Sequence, residues 1–222
     1  MVTRPLVTSL ARTDAFDITS ISWDIDWRSQ STGDRVSGRR HVAIGQLPRW
    51  IGAPEYQVLA ETLGAWRASR LSGMGLIGIW RVRMFDYATY ASEVIGSAGF
   101  SGGVAFSGGA GVLVPPVVPV VGDVSPGATE IVVDETALPA PIVVGQILSF
   151  MDWPFAVSWR DGAGAAVTLG VEMPIRKAMS DGDLIDLSAT GLFELIDARD
   201  GQLRYDFPIV ERRQLRFQEW LR

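Results

Sequence analysis

The sequence predicts a mainly β protein: a β-rich body carrying one helix, then a compact all-β module, then closing strands. Three observations carry this. Short runs alternate apolar and polar residues at period two through most of the chain. The 24 glycines and 12 prolines among 222 residues supply many turns. Only one stretch shows helical spacing. Hydrophobic residues make up 47% of the chain, enough to fold and to bury a core in one large or two smaller domains.

The first strand signal is SISWDIDW, residues 20–27, where Ile21, Trp23, Ile25 and Trp27 face one way and Ser22, Asp24 and Asp26 the other. RSQSTGDRVSGRR, residues 28–40, has four arginines and no apolar periodicity, and HVAIGQL then resumes strand character. The pair reads as a hairpin with a loop of roughly 12 residues, well beyond the usual hairpin length. APEYQVLAETLGAWRASRLSG, residues 53–73, reads as the helix. Pro54 suits its first position, Tyr56, Leu59, Leu63 and Trp66 form a stripe, Arg67 and Arg70 sit in the last turn and Gly73 stops it. LIGIWRVRMF, residues 76–85, predicts a strand with Trp80, Val82 and Met84 on one face and Arg81 and Arg83 on the other.

The texture then changes. GSAGFSGGVAFSGGAG is small and flexible, and VPPVVPV is extended but lacks the amide donors of a central strand. A boundary or crossover is expected near 100–122. Beyond it ATEIVVDE, IVVGQILSFM, FAVSW, AVTLGVEM, DLIDL and LFELI read as strands separated by SPG, DGAG and SDGD. The last strands lie in RYDFPIVERRQLRFQEW, with Leu215 and Phe217 alternating with Arg216 and Gln218.

Composition narrows the chemistry. Cysteine is absent, which removes disulfides, thiolate catalysis and zinc–cysteine sites. The net charge of −5 argues against a dedicated nucleic-acid binder. No signal peptide and no membrane span are expected, since the longest apolar run, GVLVPPVVPVVG, is short and broken by prolines. DGDLID, with Asp181, Asp183 and Asp186, resembles the start of a calcium loop, but Ile185 and Phe193 occupy later ligand positions. It reads instead as a turn leading into a strand. Asp24 and Asp26 with Glu172 or Glu194 could pair as glycosidase carboxylates, although a chain with 25 acids offers many such pairs and a solvated strand face explains them. The lone histidine, His41, has no triad partners in pattern. Of the eight tryptophans, Trp23, Trp27, Trp66 and Trp80 sit on apolar stripes and are expected in the core, whereas Trp153 and Trp159 could offer a sugar-stacking pair. The expected role is structural or binding, without catalysis, metal or cofactor.

The order of these features resembles the distal tail proteins of long-tailed (siphovirus-type) bacteriophages and gene-transfer particles. The resemblance runs through SWDIDWRSQSTGDRVSGRRHVAIG, LGAWRASRLSG, GMGLIGIWRVRMFD, GSAGFSGGVAFSGG, VGQILSF, EMPIRKAMSDGDLIDL and FELIDARDGQLRYDFPIVERRQLRFQEW. It implies a tail-tube-like β-sandwich or barrel flanked by one helix, over 1–104 with closing strands 190–222, and an inserted, outward-facing β module over 105–189. It implies a homohexameric ring at the virion tail tip, made in the host cytoplasm, joining the tail tube protein to the hub and letting DNA pass. Within that expectation Arg28, Arg35, Arg39 and Arg40 form an inter-ring assembly loop, and Asp24 and Asp26 are lumen-facing. A tail-tip or tube-end protein of another kind, a carbohydrate-binding β module and a glycan-cleaving enzyme are the competing expectations.

Overall fold

A computed structural model describes residues 6–7, 16–34, 40–43, 47–84, 97–98, 112–113, 117–138, 140–202 and 210–221. In chain order the elements are β1 (Leu6–Val7), β2 (Asp17–Ser20), β3 (Trp23–Asp26), β4 (Gln30–Asp34), β5 (Arg40–Ala43), β6 (Arg49–Gly52), β7 (Glu55–Leu59), α1 (Leu63–Ser72) and β8 (Ile79–Arg83). There follow β9 (Ser97–Ala98), β10 (Val112–Leu113), β11 (Val117–Pro119), β12 (Glu130–Val133), β13 (Ile147–Phe150), β14 (Trp153–Asp161), β15 (Val167–Val171) and β16 (Leu184–Asp186). The chain closes with β17 (Thr190–Leu195), β18 (Val210–Gln214) and β19 (Phe217–Glu219). The protein is mainly β with one helix among the described residues, as the alternation predicts. It divides into two compact units, Met1–Arg83 with Leu192–Arg222, and Met84–Gly191. These borders replace the expected 104/105 and 189/190. The glycine-rich texture suggested the later crossing, but the chain leaves the first unit as β8 ends and returns in β17, its neighbour in the same sheet.

The first unit contains a six-stranded sheet in the order β1-β8-β17-β19-β6-β3 and a three-stranded sheet in the order β18-β7-β2. Three consecutive strand pairs cross between them: β2 into β3, β6 into β7, and β18 into β19. Each bends at a short corner, Ile21–Ser22, Ala53–Pro54 and Leu215–Arg216. The corners are stitched by the Ala53 N–H to the Ser22 carbonyl (3.0 Å), the Leu215 N–H to the Pro54 carbonyl (3.2 Å) and Gln214 Nε2 to the Ala53 carbonyl (3.2 Å). Bends of this kind let one strand serve two sheets of a sandwich-like core. The run 20–27 is therefore not one strand. It spans the end of β2, a bend and β3 in the other sheet, and Trp27 leaves the stripe with 39% of its surface exposed.

The expected hairpin is also re-paired. β3 pairs with β6, with Ile25 opposite Trp50, while β4, inside the arginine-rich run, pairs with β5 at the start of HVAIGQL. RWIG of β6 was hidden because only four residues separate two breaks in pattern. The helix is shorter than expected as well. Residues 55–59 form β7, with Tyr56 and Val58 buried and their neighbours half-buried. α1 begins only after Thr62. Tyr56, Leu59, Leu63 and Trp66 thus straddle a strand–helix junction, and their spacing imitated a single helical stripe. The other end is as expected: Gly73 caps α1, its N–H reaching the Ser69 carbonyl (3.0 Å).

Aromatic packing fills this unit. Trp23 meets Phe193 (5.0 Å), Phe193 meets Phe217 (6.0 Å) and Phe217 meets Trp80 (6.1 Å). Around α1, Trp66 packs against Phe16 (5.2 Å) and Tyr56 (5.7 Å), and its Nε1 donates to the Gly201 carbonyl (2.9 Å).

The second unit contains a six-stranded antiparallel sheet in the order β11-β16-β13-β14-β15-β12 and a short β9–β10 ladder. The sheet curls until its outer strands meet at a single bridge, Val120 opposite Val133, without a continuous ladder closing it. Val118, Ile131, Leu148, Val167, Leu169 and Ile185 fill its interior. β11 carries Pro119 on an outer strand, where a missing amide is tolerated.

Candidate assembly surface

Each sheet of the first unit ends on one side at the same stretch of chain, with β2 the outer strand of one and β3 of the other, opposite the outer strands β18 and β1. Opposite β3 in the ladder, Trp50 turns its N–H away, to the buried carboxylate of Glu219 (3.0 Å). The Ile25 N–H likewise points away from β6, and Asp24 Oδ1 accepts it at 2.7 Å. Asp24 is exposed, and its carboxylate covers its own strand's outward amide in the single chain. Asp26 accepts the Arg28 N–H (2.9 Å) and pairs with Arg49 Nε (3.4 Å).

At the corner itself lies an open hollow of about 210 Å³ lined by Ser22, Asp24, Ile51, Ala53, Ile196, Arg216 and Phe217. Arg216 is held by Asp200 (2.9 Å) and Asp197 (3.3 Å). Hydrogen bonding and charge from Asp200, then Asp197, hold its guanidinium above the ordinary range. Next to it Arg70 donates to the Ala198 carbonyl (2.9 Å), and burial, partly offset by Asp200, lowers its pKa. Of these residues only Asp24 is a site residue in the sequence reading. The available signal was the Ala53–Pro54 break between two short apolar runs and the acid-rich DARD at 197–200.

The other expected residues lie as follows. Arg28 is exposed in a left-handed conformation (φ 49°) just beyond β3. Arg40 starts β5; Arg35 and Arg39 lie outside the described residues, and the His41 side chain is not described. DGDLID is a turn followed by β16. The Asp183 carboxylate accepts the Ser180 N–H (2.8 Å), Asp181 accepts the Gly122 N–H (2.7 Å), and Gly182 takes φ 83°. Glu194 accepts from Gln218 Nε2 (2.7 Å), and Glu172 is exposed in the other unit. Among the described residues no three His, Cys, Asp or Glu side chains are grouped to hold a metal ion, and no helix is long and apolar enough to cross a membrane.

Trp153 and Trp159 both lie on β14, six residues apart, so roughly 20 Å separates them along the strand. Trp153 is half-buried with the Arg176 guanidinium over its ring (4.9 Å). A bulge after Val157 sets Trp159 opposite Gly170, where only a missing side chain makes room for the ring. They make two separate spots, not one platform. No protein-family model matches the chain, and a search of curated proteins finds no match.

Proposed function

We propose that the chain is a structural virion component, the distal tail protein of a long-tailed phage-like particle. Its copies close into a hexameric ring that joins the tail tube to the tip hub and lets DNA through. The observation that carries this reading is the β2–β3 edge, one stretch of chain that forms an outer strand of both sheets in the first unit. A closed ring needs two different faces per subunit, and such an edge is one ready-made face. The acidic chain suits a conduit, since DNA slides past a wall that does not attract it. Asp24 and Asp26 would lie on the lumen side of this edge, and the segment with Arg28, Arg35, Arg39 and Arg40 would meet acids of the adjoining ring.

Ile25→Pro tests the edge. The Ile25 amide points away from β6, so its loss should leave the β3–β6 ladder in place while blocking strand addition from outside. Mass photometry should show rings of the wild type and folded, unassembled I25P. Rings that persist in I25P would exclude this edge as the ring contact. Neutralising Arg35, Arg39 and Arg40 together should leave rings intact and weaken their stacking, read by sedimentation at low salt.

One observation favours a second reading. Trp159 keeps 41% of its surface exposed, which suits sugar contact by the second unit. A glycan array with the wild type and Trp159→Ala separates that role from assembly.

A further inference from the structure

The outer face of the second unit carries a feature that ring assembly does not use. Along β15, Val167, Leu169 and Val171 point into the core, so Thr168 and Gly170 face out. Residues directly across a ladder share a face, and the strands on either side bring partners to this one. One rung across β14, β15 and β12 reads Trp159–Gly170–Glu130, and the next reads Asp161–Thr168–Val132. The bulge between Val157 and Trp159 sets this register. Trp159 lies across Gly170, where a Cβ would collide with the indole Nε1 and Cε2. The ring is thus laid over the middle strand toward β12, and 41% of the residue stays open to solvent.

Three carboxylates surround the ring. Glu130 stands at the far end of its rung, Asp161 is two residues along β14, and Glu172 is two residues beyond Gly170; all three are exposed. Among the described residues, none of these three side chains and not the Trp159 indole N–H makes a hydrogen bond or ion pair. Neither rung holds a lysine or arginine. Two strand spacings put Glu130 about 10 Å from the Trp159 backbone, within reach of a group at the edge of a ligand stacked on the indole.

An exposed indole face takes the apolar face of a pyranose ring. Unpaired carboxylates accept hydrogen bonds from its hydroxyls and bind a positive charge more strongly still. The same carboxylates repel sugars that carry carboxylate or phosphate groups. One ring laid flat offers no walls for a quaternary ammonium ion, which is recognised by a cage of several rings. We propose that this face binds hexosamine units with a free ammonium group. The pyranose stacks on Trp159, and its ammonium and hydroxyl groups donate to Glu130, Asp161 and Glu172. The inference rests on the second reading above, sugar contact by the second unit, and names the class of sugar; it is independent of the ring.

Isothermal titration of the full chain tests it, at mildly acidic pH where the sugar amine is protonated. The ligands are a glucosamine oligomer, its N-acetylated counterpart and a lysine oligomer of equal length. The wild type should bind the glucosamine oligomer on the order of tenfold more tightly than either of the others. Trp159→Ala should abolish binding of both sugars. Combining Glu130→Gln, Asp161→Asn and Glu172→Gln should remove the preference for the free amine without touching the packing on Gly170, and circular dichroism should be unchanged. Equal binding of both sugars, lost in W159A, would overturn the charge selection and leave sugar contact standing. Glucosamine binding that survives W159A, or a lysine oligomer bound as tightly, would mean bulk charge attraction and overturn the site. Binding of neither sugar would overturn this inference and the sugar reading together.

Discussion

Tyr56 shows how one buried hydroxyl sets a pH response. Its ring is enclosed in β7 beside Trp66 and Phe16, and burial pushes the phenol above its ordinary 10.0. In the unfolded chain it ionises near that value. At higher pH the unfolded state has lost a proton that the folded state keeps, so stability falls with rising pH from about pH 10 upward and is untouched below. One withheld proton gives a slope of about 1.4 kcal/mol per pH unit. Tyr56→Phe should flatten the urea midpoint measured from about pH 9.5 to 11 by that amount; parallel curves for both proteins would mean other groups control alkaline unfolding. In the second unit Glu135 holds two donors at once, the Ile142 N–H (3.0 Å) and Arg160 Nη2 (2.9 Å). Arg160 Nε is already buried without a partner. Removing the carboxylate strands a buried amide and a guanidinium together, so Glu135→Ala should cost about 3 kcal/mol in chemical denaturation. Glu135→Gln, which keeps an acceptor for Ile142, should cost clearly less.

The elements depend on a few close approaches between them. Gly201 sits at φ 68°, and a Cβ there would fall 2.5 Å from Leu215 Cδ2 and 2.9 Å from Trp66 Cζ2. Its carbonyl also accepts the Trp66 indole N–H, so it joins α1 to the corner between β18 and β19. Gly201→Ala should lose about 3 kcal/mol and alter the near-ultraviolet tryptophan signal, because backbone strain and overpacking add. Gly182→Ala, also at positive φ (83°) but facing open space, should lose only about 1 kcal/mol. A similar loss at both sites would show that packing around Gly201 yields easily. Such close approaches explain what could be read from the sequence. Strands whose partners sit on one side only, such as β8 with Trp80, Val82 and Met84 inward, declare themselves by alternation. So do strands of the second unit such as β15, which follows the glycine turn at 162–164. What misled was the corner. Where a strand changes sheets within two residues, its inward face changes too, so period two breaks at Ile21–Ser22 and the run from β7 into α1 imitates a helix. The hollow formed by those corners draws on β3, β6, β19 and the residue after β17, Ile196, and only the fold brings them together.

At the scale of the molecule, the insertion is the feature most open to experiment. β8 and β17 are neighbours in the six-stranded sheet, and between them the Met84 N–H reaches the Ala189 carbonyl at 2.8 Å. The chain therefore leaves and rejoins the first unit at almost one point, as the two strands of a hairpin would. Among the described residues the buried cluster of the second unit lies wholly within Val118–Leu187. Replacing residues 85–188 by a short Gly-Ser linker should leave a first unit that unfolds cooperatively and keeps its aromatic packing, because the closing loop adds little chain entropy. Residues 112–191 expressed alone should fold as a cooperative β unit, seen by dispersed amide resonances. Since the β2–β3 edge lies entirely in the first unit, the shortened protein should still assemble into rings under mass photometry. If it folds but no longer assembles, the second unit supplies a ring contact and the edge is not sufficient. If instead neither part folds without the other, the two units depend on each other's surfaces and the single return point between β8 and β17 is not the boundary that governs folding.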